Sequence, residues 1–116
     1  MNLIPLLWGS LFFLLAHIIT WFQLNGQFKW EWFVKYEWVL VLIGIPMAYL
    51  YILGTKYTVE GFNGLLWPTR FVGFGIGMII YAILVSYFFN EGINSKTAIS
   101  LLLAVALICI QVLWKN

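Results

Sequence analysis

Charged side chains are scarce in this chain. Five lysines, one arginine and four glutamates make up 9% of its 116 residues, against about 25% in an average soluble domain. The net charge is only +2, and no lysine or arginine lies between Asn2 and Gln27. A disordered chain needs low hydropathy and abundant charge, and a nucleic-acid binder needs a basic patch; both are excluded. There is a single cysteine, Cys109, so no internal disulfide forms and the redox compartment stays unread. A single histidine, His17, offers no second imidazole for a haem or metal within one chain. CxxC, HExxH, GxSxG and GxxxxGK[ST] patterns are absent. With them go the common metal, hydrolase and P-loop chemistries. The expectation is therefore a protein that is not an enzyme, with no metal, no cofactor and no nucleic-acid partner.

What fills the chain instead is apolar. Apolar residues make up 64% of it, against about 45–50% in soluble domains, and the mean hydropathy is +0.98. A water-soluble fold this small buries too little of its surface to hide so much. The chain reads as an integral, multi-pass membrane protein whose solvent is the lipid bilayer. Its charges divide it into four long apolar stretches, at about Leu3 to Leu24, Trp38 to Leu53, Phe71 to Phe89 and Thr97 to Trp114. A hydrocarbon core about 30 Å thick takes roughly 20 helical residues. Two stretches meet that length, and flanking tyrosine and tryptophan extend the other two. LFFLLAHII and AISLLLAVALICI do not alternate apolar with polar residues, which excludes a barrel. The start lacks the positive charge and small-residue cleavage site of a signal peptide, so the first segment is expected to be retained. The expected fold class is all-α, an integral membrane bundle of four transmembrane helices forming a single transmembrane domain over residues 1–116.

The connections differ in kind. QFKWEWFVKYEW interleaves aromatic rings with charge, the pattern of an interfacial turn or short helix. GTKYTVEGFNGLLWPTR is long and glycine-rich, with turn signals at Asn63-Gly64 and Trp67-Pro68. NEGINSK is short, and Ser95 is placed to cap the fourth helix. Four spans put Lys56, Arg70 and Lys115 on one side and Lys29, Lys35 and Lys96 on the other. This three-against-three balance gives no orientation by positive charge. It leaves open insertion both ways with antiparallel pairing, and an orientation fixed by a partner.

His17 is the only ionisable side chain well inside a span. Intramembrane ionisable groups mark functional sites by default, and histidine changes charge near neutral pH. Helical spacing puts Ser10 and Trp21 on its face. His17 is either a proton-exchanging group in a substrate cavity or a neutral hydrogen-bonding residue that glues helices. Pro46 in the second span removes a backbone donor and predicts a kink, with Tyr49 and Tyr51 following it within two turns towards a cavity. In the third span Gly73, Gly77 and Tyr81 share a stripe, and glycines at that spacing admit a second helix closely. In the fourth span Ser100 and Ala104 form a small-residue packing edge with Gln111.

GFGIGMIIYAILVSYFFNEGINSKTAISLLLAVALICIQVL, from Gly73 to Leu113, resembles the last third of the small multidrug resistance proteins of the drug/metabolite transporter superfamily. The common features are a glycine-bearing third helix, an aromatic FF exit, a short polar turn and an alanine/leucine-rich fourth helix. LAHIITWF resembles the family segment that carries an embedded glutamate, and His17 stands at that position. The connection from Thr55 to Arg70 is longer here than the family's tight turn. The resemblance implies a four-helix small-molecule transporter, proton-coupled and dimeric. Two copies would enclose the cavity, with His17, Ser10, Trp21, Tyr49 and Tyr81 around it and Gly73, Gly77, Ser100 and Ala104 packing helices. The alternative from another class is a non-catalytic accessory or anchoring subunit of a larger membrane complex. A weaker third reading is a small lesion-forming pore.

Overall fold

A computed structural model describes residues 2–114; Met1, Lys115 and Asn116 lie outside the described residues, and with them the Lys115 of the charge balance. Among the described residues the chain is an all-α bundle with four helices long and apolar enough to cross a membrane. They are α1 (Leu3–Asn25), α3 (Glu37–Gly61), α4 (Leu66–Phe89) and α5 (Ser95–Leu113). Between α1 and α3 lie a short 3-10 turn at Gly26–Phe28 and a five-residue helix, α2 (Glu31–Lys35). At 1.5 Å per residue the shortest long helix, α5, spans about 28 Å, enough for a bilayer core.

The second span and the third are longer than the charge pattern predicts. α3 runs on to Gly61 and α4 begins at Leu66, so the expected seventeen-residue glycine-rich loop is only Phe62–Leu65. Lys56, Glu60 and Arg70 ride on helix ends, where long side chains reach the interface. Pro68 falls in the first turn of α4, where its missing N–H has no intrahelical partner to lose. The turn is made by Asn63 at φ 59° and Gly64 at φ 90°, the left-handed conformation that asparagine and glycine adopt most readily. The fourth helix is capped one residue before the expected position. The Asn94 side chain, not that of Ser95, accepts from the Thr97 amide at 2.8 Å.

α1 and α3 pack antiparallel along their whole lengths. Leu6 meets Gly61, Gly9 meets Thr58, Phe13 meets Gly54, and Gln23 meets Gly44; Thr20 meets Met47. Each step along α1 is matched by an equal step back along α3, alternating three and four residues. That spacing is the geometry of shallow left-handed helix crossing. The register is the same on both sides of Pro46, so the proline does not part α3 from α1. Glycine makes the approach possible. A Cβ on Gly9 would lie 2.7 Å from the Thr58 amide nitrogen and 2.9 Å from the Gly54 carbonyl oxygen. In lipid such packing replaces the hydrophobic drive that water supplies.

α4 lies against the other side of α1 and runs parallel to it. Phe13 packs on Gly73, and the His17 ring packs on Gly77. The Gly73/Gly77 stripe therefore receives α1 of the same chain. Gly75, on the opposite face, receives Ile108 of α5. The helices form a bent row in the order α3, α1, α4, α5, inside a Cα envelope of 49 × 36 × 17 Å. A layer this thin leaves most side chains outside. Val41 is 73% exposed and Leu113 70%, while Ala16 and Thr58 at the seam are fully buried. The apolar exterior is what hydrocarbon requires.

Candidate functional site

Three helices meet around His17. α1 contributes Phe13 and His17, α3 contributes Tyr51 and Thr55, and α4 contributes Leu66, Thr69, Arg70 and Gly73 to a cavity of about 210 Å³. It exists because α3 and α4 both lean on α1 and diverge from each other, and because Thr69 and Gly73 are too small to fill the gap.

The His17 ring is held on three sides. Its Nδ1 lies 2.8 Å from the Phe13 carbonyl oxygen. A carbonyl only accepts, so Nδ1 carries the proton and donates. That leaves Nε2 with the free lone pair. Tyr51 meets the ring edge-to-face, centroids 5.3 Å apart, and the edge carrying Nε2 lies against Gly77. Tyr51 is itself fixed. The Thr20 hydroxyl lies 2.7 Å from the Ala16 carbonyl oxygen and 2.7 Å from the Tyr51 hydroxyl. Thr20 has one proton; directed at the carbonyl, it leaves Tyr51 as the donor between the two hydroxyls.

Depth follows from register. Gly77 is eleven residues into α4, about 16 Å from its start at 1.5 Å per residue. His17 thus sits near mid-span, and Arg70 lies about 10 Å nearer the Asn63 turn. Phe13 and Thr69 on the lining are buried and His17 and Tyr51 half-buried, while the exposed members, Thr55, Leu66 and Arg70, all lie on the Asn63 side of His17. The cavity opens at the Arg70 end. At the other end Trp21, Phe22, Trp30, Phe88 and Phe89 stack into one aromatic cluster. Lys29 donates to the Phe88 carbonyl at 2.8 Å and fastens the α1–α2 connection across that end.

The residues predicted to surround His17 scatter. Ser10 is half-buried one turn before Phe13, outside the cavity lining. Trp21 is 3% exposed in the aromatic cluster, with its indole nitrogen unpartnered. Tyr49 is 61% exposed and faces outward. Tyr81 is 49% exposed and lines a separate open groove near Glu91 and Asn94. Of the packing residues, Gly73 and Gly77 hold α1. Ala104 is buried at 7%, while Ser100 is exposed and bonds back to the Lys96 carbonyl. Of the two tyrosines that follow the Pro46 kink, Tyr51 lines the cavity and Tyr49 does not, a choice the kink argument leaves open because it gives no rotation for α3. The sequence reading missed Thr55, Thr69 and Arg70 because they were assigned to a loop. Their spacing held the signal: Leu66, Arg70, Gly73 and Gly77 make one helical stripe once α4 starts at Leu66. No family model, curated protein or solved structure matches this chain.

Proposed function

We propose that the chain is a small-molecule transporter of the drug/metabolite type, coupled to protons through His17. The observation that carries this reading is a cavity, lined in part by polar side chains, that reaches mid-span, open at Arg70 and closed by the aromatic cluster beyond His17. A carrier needs a central site that faces one side at a time, and an ionisable residue inside a bundle marks such pathways. The four-residue turn at Phe62–Leu65 removes the loop-length difference from the small multidrug resistance pattern. His17 stands where that pattern has its glutamate. Because the cavity lies within one chain, a homodimer would place two cavities side by side rather than create one.

Proteoliposomes with an entrapped pH dye test this. An imposed solute gradient should move protons through the wild type and not through His17→Ala of equal helicity. Solute flux that ignores His17 would remove the coupling, and no flux of any solute would remove the transporter. One observation favours the accessory-subunit reading. α5 packs chiefly on α4 and leaves Leu102 and Leu103 68% and 63% exposed, a face that a larger membrane partner fits. Native mass spectrometry after gentle extraction separates the two: a defined heteromer supports the subunit and a homo-oligomer the carrier.

A further inference from the structure

The charge inside the cavity has a sign. Arg70 is the one formal charge on its lining, and no glutamate is among the described lining residues. Arg70 is not a lipid-facing residue that happens to be near. It shares the helical stripe of Leu66, Gly73 and Gly77, the face that α4 turns towards α1. Lys56 adds a second cation at the mouth, lining the groove that adjoins at Tyr51 and Thr55. Glu60, the carboxylate at this end of α3, lines neither space. A cationic solute entering here meets like charge with no counter-ion on the lining.

We propose that the cavity binds a small carboxylate monoanion, held at the mouth by Arg70 and Thr55, and carries it to His17 together with one proton. The inference rests on the reading of the cavity as a transport site and adds the substrate's chemistry. A guanidinium fork matches a carboxylate with two parallel N–H donors. The cavity of about 210 Å³ is below the usual 300–1,000 Å³ or so of drug-sized sites, so the anion is small. The proton follows from the tautomer. With Nδ1 committed to the Phe13 carbonyl and Nε2 turned to Gly77, neutral His17 offers a carboxylate no free donor. Protonated, the ring brings a positive charge to the inner end of the cavity and becomes an anion partner. The other groups facing the ring do not compete for that proton: Tyr51 from α3 is committed to Thr20, and Arg70 from α4 is permanently charged.

Benzoate is the probe. Calorimetry on protein in lipid nanodiscs, blanked against empty nanodiscs, should show saturable benzoate binding that strengthens as pH falls. Two buffers of different ionisation heat should report uptake of about one proton per benzoate. Arg70→Gln should weaken binding about tenfold or more, and Arg70→Lys, which keeps the charge and loses the fork, should recover only part of it. His17→Gln should abolish the proton uptake. No saturable binding by wild type of intact helicity overturns the proposal. So does binding indifferent to Arg70→Gln, or saturable binding of tetraphenylphosphonium in place of benzoate. The two readings fail separately. Benzoate binding without flux in proteoliposomes supports the anion site and ends the transporter. Cation flux without benzoate binding overturns the anion site alone.

Discussion

Gly9 sits where α1 lies tight against α3, and its neighbours there are mostly backbone. A Cβ at Gly9 meets the Thr58 amide and the Gly54 carbonyl at under 3.0 Å, as well as the Thr58 hydroxyl. Backbone cannot rotate away, so the helices must separate. Gly9→Ala should destabilise the bundle by about 1–3 kcal/mol, the usual cost of overpacking a tight seam. An SDS titration followed by circular dichroism reads this. Gly92→Ala, where nothing lies within 4 Å, should shift the midpoint by less than about 0.5 kcal/mol. Gly77 tests a different consequence. A Cβ there would lie 2.6 Å from His17 Cδ2 and 2.7 Å from Nε2, and an imidazole can turn where a backbone cannot. Gly77→Ala should therefore leave the fold standing and displace the ring from its bond to Phe13. The histidine imidazole NMR shifts should move while the amide spectrum of α3 stays in place.

At the scale of whole helices, the α1–α3 seam rests on small residues and few polar bonds. The Tyr51–Thr20 bond is one of the few that tie the two side chain to side chain. A double-mutant cycle on Tyr51→Phe and Thr20→Val should give a coupling of about 0.6 kcal/mol, the average for interhelical hydrogen bonds in membranes. α5 depends on its cap, and Asn94→Ala should cost about 1 kcal/mol locally. It should speed hydrogen exchange in the first turn of α5 without altering α1. The helices themselves were legible in the sequence, because apolar length between charges is a strong signal when lipid is the solvent. Their ends were not. Lys56, Glu60 and Arg70 read as loop markers, yet a helix carries such residues through the interface when their stems can reach water. That one misreading moved Arg70, Thr69 and Thr55 from the site to a loop. The partners of each glycine were equally hidden. Gly73 and Gly77 at four-residue spacing advertise a packing face, but not whether α1 or a second copy fills it. His17 was legible as an isolated ionisable group, whereas its tautomer depends on a carbonyl that only the folded helix presents.

Across the whole molecule the two ends of the bundle are built differently. Towards the Asn63 turn the three-helix junction gapes, with polar and cationic side chains at its mouth. Towards α2 it is shut by stacked rings, tied by Lys29 to the end of α4. A carrier in this arrangement faces the Asn63 side, and passage to the other side requires Trp21 to leave Phe88 and Phe89. Thiol labelling in sealed vesicles tests the asymmetry. Cys109 is exposed on α5, so Cys109→Ser provides the background. On it, Leu65→Cys reports which way the turn faces in each molecule, independent of the balanced lysine and arginine count. His17→Cys should react with a membrane-impermeant sulfonate reagent only from the side on which Leu65→Cys reacts, in the same fraction of molecules. Adding Trp21→Ala removes the most buried ring of the closure, and His17→Cys should then react from the opposite side as well. Reaction from both sides with Trp21 intact would mean that the aromatic cluster does not seal the bundle. Reaction from neither side, with Leu65→Cys fully labelled, would mean that water does not reach mid-span, and His17 would then be packing glue rather than part of a path.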